Sequence, residues 1–351
     1  MYSSQLDSEE CNSGKRLELS NYLNNDLSVN NGCLWSACKS NFKKINSSAA
    51  FINMANQPYY SKNSKNYNKR LRVFLKIKDI INFNLTLEGV FFFMHGSYAV
   101  GGVTNFSDID LGVIVSEDIS LEEVRILRGL VRKILNFIYS VDPLMHHGID
   151  VFFTQDFINY DESILPVDTL KRSIALNNKC AFKIFTNDCV SVLSAKNKLV
   201  KQCESVLSYE STLINLSSYK LKCLISVVLL IPVLFIQAET GVFLCKRRSI
   251  ERFREKYKNK FPLLAIDMAT DLREAWNVPA YVGIIRNTAS YIDFIFPVLR
   301  NIQRIAGGGS LKRGGEVKEL KINKKIKSSE VKEFIKVSKL FALSIVKEIN
   351  D

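Results

Sequence analysis

The chain has 351 residues, 47% of them hydrophobic, enough for two packed cores and not for three. Its eight cysteines include no Cys-x-x-Cys pair and its only histidines are His95, His146 and His147, which excludes a zinc cage and a disulfide framework. The net charge of +13 is uneven: residues 71–165 carry 7 basic and 13 acidic side chains, residues 166–351 carry 32 and 17. Such a division suggests cations held by the first stretch and a polyanion or nucleotide by the second.

Residues 1–68 are rich in Ser and Asn with weak periodicity and read as a loosely ordered N-terminal region, with a short helix near residues 36–55. The first thirty residues lack a basic stretch leading into an apolar one, so a cytoplasmic location is expected. Residues 69–165 read as a small α/β domain. "RLRVFLKIKDIINFN" has helical spacing, and "GVFFFMHG" is a buried strand bounded by glycines. "DIDLGVIV" is a second strand. In "SLEEVRILRGLVRKILNFIYSV" Ser120 caps a helix with Glu122 and Glu123 in its first turn, and "HGIDVFFT" is a third strand.

Residues 166–351 read as a helical domain, with helices at 189–206, 211–238, 248–258, 263–275, 280–305 and 328–349. "AGGGSLKRGG", residues 306–315, is a flexible link without the spacing of a phosphate-cradling P-loop. "CLISVVLLIPVLFI", residues 223–236, contains Pro232 and is shorter than the roughly 20 apolar residues of a spanning helix, so a buried core helix is expected and no stable membrane association.

In a strand successive side chains alternate, so Asp108 and Asp110 project to one side while Ile109 and Leu111 enter the core. Two carboxylates so close repel unless a cation lies between them, and Mg²⁺ suits oxygen donors that leave room for water and phosphates. Asp150, in "GIDVFF", stands in the same apolar context and supplies a third carboxylate from the next strand. Three such groups can frame a two-metal site, with Gly96 allowing close backbone approach and Ser97 holding phosphate oxygens. The histidines are expected to pack or to make supporting hydrogen bonds, since Mg²⁺ prefers oxygen.

A strand ending in Gly96-Ser97, ten intervening residues, Asp108-Ile-Asp110 and a later Asp150 resembles the nucleotidyltransferase superfamily typified by DNA polymerase β. "GSYAVGG" and "SDIDLGVIV" look most like the bacterial branch of minimal nucleotidyltransferase antitoxins and aminoglycoside nucleotidyltransferases. The resemblance implies a mixed-sheet α/β nucleotidyltransferase domain followed by an α-helical domain. It implies two Mg²⁺ ions on Asp108, Asp110 and Asp150, with Asp150 also a candidate general base, and a triphosphate held by Gly96 and Ser97. Val100 stands where many bacterial members have an arginine.

"QAETGVFLCKRRSIERF" is similar to a Thr-Gly and Ser-Lys stretch in the helical domain of aminoglycoside adenylyltransferases, which makes Lys246 a nucleotide-phosphate ligand, with Cys245 in place of serine. "SSYKLK" offers Lys220 at the start of a long helix as a second such ligand. The expected reaction is Mg²⁺-dependent transfer of a nucleoside monophosphate, from ATP or another nucleoside triphosphate, with release of pyrophosphate. The basic second half favours RNA or a nucleotide as acceptor, then a small molecule such as an aminoglycoside, then protein. A catalytically silent nucleotide- or RNA-binding protein of the same fold is the alternative. The runs at 246–260 and near the C-terminus are either RNA contacts or solvated helix faces.

Overall fold

Strands β2 (Val90–Met94) and β3 (Leu111–Val115) pair antiparallel at the centre of a four-stranded sheet, with Phe93 opposite Gly112 and Met94 opposite Leu111. The structure is a computed structural model and describes residues 47–54, 67–84, 87–101, 103–142, 148–177, 181–209, 218–276 and 326–350. Strand β4 (Asp150–Phe153) lies parallel to β3 and β5 (Ile174–Ala175) antiparallel to β2, giving the order β4-β3-β2-β5. The sheet is mixed, as expected.

A parallel step requires a crossover, and the helix α3 (Leu121–Val141) provides it between β3 and β4. Its start is fixed by a capping box: Ser120 Oγ accepts from Glu123 N at 3.3 Å while the Glu123 carboxylate accepts from Ser120 N at 2.8 Å. Together with helix α1 (Tyr67–Asn84) it covers one face of the sheet, where Val73, Ile77, Leu127 and Val131 bury Phe92 and Val113. The opposite face carries Phe93, Ile114 and Phe152 and packs on Ile52, Phe157 and Tyr160.

Ile52 belongs to β1 (Ser47–Asn53), which pairs antiparallel with β6 (Ala181–Asn187). This corrects the expected helix near 36–55: residues 47–53 are a strand, and residues 36–46 lie outside the described residues. Ile52 is buried while Phe51 is 66% exposed, so the period is two, and the partner strand that decides it lies far along the chain. Strands β5 and β6 also carry sheet structure past residue 165, where the sequence suggested helices alone.

Beyond β6 the chain is helical: α5 (Asp188–Leu207), α6 (Ser218–Thr240), α7 (Lys246–Tyr257), α8 (Leu264–Glu274) and α9 (Ser328–Asn350). Over the described residues these agree with the expected helices to within a few residues; residues 210–217, the expected helix at 280–305 and the link at 306–315 lie outside the described residues. By length and composition Lys220–Thr240 could cross a membrane, yet 72% of its most apolar window is buried within the protein, where Leu224, Ile225, Val228 and Ile231 form the helical core. Among the described residues, one buried side chain of the sheet lobe enters that core. Phe106, in the loop before β3, stands edge-on to Trp276 with ring centroids 5.1 Å apart.

Candidate active site

Strand β3 begins at Leu111, so Asp108 and Asp110 lie on the approach to it and not within it, as the sequence suggested. The alternation nonetheless persists: Ile109 is fully buried and the two aspartates are half-buried. His95 N donates to Asp110 O at 3.0 Å, which continues the β2–β3 pairing one step past the strand ends. Asp110, Gly112 and Ile114 share one face of the sheet, and Gly112 is in register with Asp150. His95, two residues after Phe93, also falls on that face, which brings Asp110, Asp150 and His95 to one end of the sheet.

Gly96 is required there on two counts. Its φ of +63° favours glycine, and a Cβ would come within 2.0 Å of Asp110 Oδ2, so the carboxylate occupies the space a side chain would fill. Ser97 is half-buried in the short helix α2 (Gly96–Val100), and its carbonyl accepts from Gly101 N at 3.0 Å. Val100 is exposed and brings no charge to this turn.

His95 Nε2 lies 3.1 Å from Asp150 Oδ2. Burial pulls the imidazole pKa down, but the hydrogen bond to Asp150 and the charges of Asp110 and Asp150 outweigh it and raise it above the ordinary value. The other two histidines, His146 and His147, lie outside the described residues.

The long helix α6 delivers a lysine to the carboxylates, and it is Lys222 in place of Lys220. Lys220 is exposed, with its backbone carbonyl accepting from the Tyr209 hydroxyl at 3.3 Å. Two residues along a helix are about 200° apart, so burying one face with Leu221, Leu224 and Ile225 turns Lys222 inward and Lys220 outward. Lys222 Nζ donates to Asp108 Oδ1 and to both oxygens of Asp142, at 3.2 Å each, and lies 5.6 Å from the centre of the Phe106 ring. Burial lowers the lysine pKa, but Asp108 and Asp142 more than offset this and raise it, so the ammonium stays charged. Burial in turn raises Asp142 to about 7, against the pull of Lys222 and with the push of Asp108.

Lys246, the first residue of α7, reaches the same end of the sheet and interacts with the charges of Asp110 and Asp108 and of Arg273. Crowding by protein around its ammonium, then Arg273, brings its pKa to about 8, with the two aspartates opposing. Its side chain is nonetheless open to solvent, which screens these charges. The start of α7 is held from the sheet lobe by Asp168, in the short helix α4 (Val167–Lys171), whose carboxylate accepts from Cys245 N at 3.0 Å and from Arg248 at 3.3 Å. Arg273, on α8, lies over the Phe106 ring at 5.8 Å and donates weakly to Ser107 Oγ at 3.4 Å. Burial lowers its pKa while Asp108 and Asp110 raise it, and its Nε has no hydrogen-bond partner among the described residues.

Asp108, Asp110, Asp150, Gly96, Ser97 and Lys246 thus gather around the end of the sheet facing the helical lobe, and Lys220 does not. Among the described residues, however, no group of three or more His, Cys, Asp or Glu is arranged to hold a metal ion. Asp108 faces Lys222 and Asp150 faces His95, so the two-ion arrangement expected for Asp108, Asp110 and Asp150 does not fit these side chains as they stand. One hydrated divalent cation fits better, because Asp150, which meets His95 through Oδ2, is 40% exposed, and Asp110 stands on the same face.

Sequence reasoning settled on Lys220 in "SSYKLK" and passed over the neighbouring Lys222, and it missed Asp142 and Arg273. Lys222 carried a signal, as a charge inside an otherwise apolar helix. Asp142 and Arg273 carried none, because ordinary surface helices also end in such residues. Residues 75–169 match the family model of the nucleotidyltransferase domain. The match takes in Gly96, Ser97, Asp108, Asp110 and Asp150 and stops short of Lys222, Lys246 and Arg273. No curated protein and no solved structure matches the chain.

Proposed function

We propose that the nucleotidyltransferase domain at residues 75–169 works with the helical lobe to transfer a nucleoside monophosphate from a nucleoside triphosphate to an acceptor hydroxyl or phosphate. The observation that carries this reading is the convergence of Asp108, Asp110 and Asp150 at the sheet end beside Lys246 and Arg273. Carboxylates suit a cation and an incoming hydroxyl; the lysine and arginine suit a triphosphate. ATP is the favoured nucleotide because the stretch around Lys246 resembles that of adenylyltransferases.

In the transfer, a bond forms between the acceptor oxygen and the α-phosphorus as the bond to the bridging oxygen breaks, and pyrophosphate leaves with that electron pair. Asp150 takes the acceptor proton, with His95 orienting its carboxylate from 3.1 Å. Lys246 and Arg273 neutralise the departing pyrophosphate, and Gly96 and Ser97 hold the triphosphate at the turn. Asp110 and Asp150 would hold a Mg²⁺ ion, which would supply charge neutralisation and orientation of the phosphates.

The basic second half, with 32 basic against 17 acidic residues, favours RNA or a nucleotide as acceptor over a polycationic small molecule such as an aminoglycoside. The engagement of Asp108 by Lys222 favours a second reading, a nucleotide- or RNA-binding protein that does no transfer. Incubating the protein with labelled ATP, Mg²⁺ and separate pools of tRNA, nucleotides, aminoglycosides and cell protein decides between them. Label entering the RNA or nucleotide pool is the expected result; binding of ATP and RNA with no label in any pool supports the silent reading.

A further inference from the structure

We propose that Lys222 is a built-in cation at Asp108 that stands in for a second metal ion, so that the nucleotide-bound site takes one divalent ion, on the Asp110 and Asp150 side. The inference rests on the nucleotidyl-transfer reading and deepens it.

Lys222 is 1% exposed and comes from a helix 114 residues downstream of Asp108, so its position is set by the packing of α6 and not by local chain geometry. A lysine ammonium has three protons. Here they face Asp108 Oδ1 and the two oxygens of Asp142, with the Phe106 ring 5.6 Å away. Asp142 is what makes this cation a fixed one. It ends α3, its own N–H bonded to Ile138 O at 2.7 Å, and accepts from Lys222 through both carboxylate oxygens. An ammonium bound to Asp108 alone could be displaced by an arriving ion; one bound to Asp142 as well must also give up its two hydrogen bonds to a buried carboxylate if it moves.

Solvent access separates the two ends of the site. The Asp108 side chain is 10% exposed and that of Asp150 is 40% exposed. A divalent ion of the magnesium type keeps several waters and takes the rest of its ligands from phosphates, so it needs an open carboxylate. That requirement is met at Asp150, and at Asp108 the corresponding space belongs to the lysine. A fixed ammonium also neutralises one of the clustered negative charges before any nucleotide binds, which is the service a second ion would otherwise perform.

The test counts ions without relying on turnover. The full chain is mixed with an α,β-methylene ATP analogue, which cannot be cleaved, and titrated with Mn²⁺, with free Mn²⁺ followed by electron paramagnetic resonance. One Mn²⁺ per nucleotide-bound chain is expected, unchanged by excess metal. In Lys222→Met, with Asp108 released, the count rises to two; in Lys222→Arg, which keeps the charge, it stays at one. Two Mn²⁺ per wild-type chain overturns the inference and leaves the transfer reading standing. Failure of the chain to bind the analogue at any Mn²⁺ concentration overturns both. The wild-type count alone decides the matter if Lys222→Met does not fold.

Discussion

The carboxylate of Asp110 occupies the space that a side chain on Gly96 would fill, with 2.0 Å between Asp110 Oδ2 and the position of a Cβ. Gly96→Ala therefore carries a double cost. The residue is held at a φ of +63°, where alanine loses about 1–2 kcal/mol, and its methyl group displaces Asp110. Because a shift of ångström size at a reacting centre costs on the order of 100-fold, kcat should fall by about that factor while the protein still folds. Steady-state kinetics beside a thermal melt check this; full activity in a folded variant would contradict the placement of Asp110.

Phe106 joins the two lobes by standing against Trp276, so Phe106→Ala should cost about 3–5 kcal/mol and open the helical core around the indole. The chain has two tryptophans, and Trp276 is the buried one among the described residues, which makes fluorescence a local readout. A lowered unfolding midpoint with a red-shifted emission is expected. An unchanged midpoint would mean that the lobes do not depend on this contact.

Asp142 titrates upward, from 3.8 to about 7, so the folded protein holds this proton more tightly than the unfolded chain does. Its stabilising contribution is complete below about pH 4 and is lost as pH rises through about 7. Asp142→Asn removes that dependence. The melting temperature of the wild type minus that of the variant should fall steadily across this window, and a flat or rising difference would show that Asp142 is not raised.

Lys246 is placed to bind phosphate only while charged, and its pKa is drawn down to about 8. Because kcat/KM reports the free enzyme, it should fall as pH rises through about 8 in the wild type. Lys246→Arg, which stays charged, should hold kcat/KM level to higher pH. Asp168→Ala, which releases Cys245 N and Arg248, should raise the nucleotide KM several-fold with a smaller change in kcat. Rate profiles for the three proteins would expose a Lys246 with no role as a matching decline in wild type and arginine variant.

Much of the sheet end was legible in the sequence because its constraints are local. A glycine beside a serine after an aromatic strand, and aspartates alternating with Ile109 and Leu111, declare their faces by period two alone. The capping box at Ser120 and Glu123 is equally local. The helix expected near 36–55 failed over residues 47–53 because β1 is decided by pairing with β6, a partner that no window around residue 50 contains. Lys220 was chosen over Lys222 for the same reason: both lie near the start of one helix, and only the packing of α6 tells which faces the carboxylates. Arg273 reaches the site through Phe106 and Ser107, a tertiary contact with no trace in the spacing of either segment.

The central claim is that the cleavage falls at the α-phosphorus, and position-specific label tests it most directly. The protein and its Asp110→Asn variant are each incubated with ATP labelled at the α position and, separately, at the γ position, with Mg²⁺ and an RNA pool. Transfer of the α label to acceptor, with the γ label recovered as pyrophosphate and both lost in Asp110→Asn, is the predicted result. Transfer of the γ label, or α transfer that survives Asp110→Asn undiminished, would contradict it.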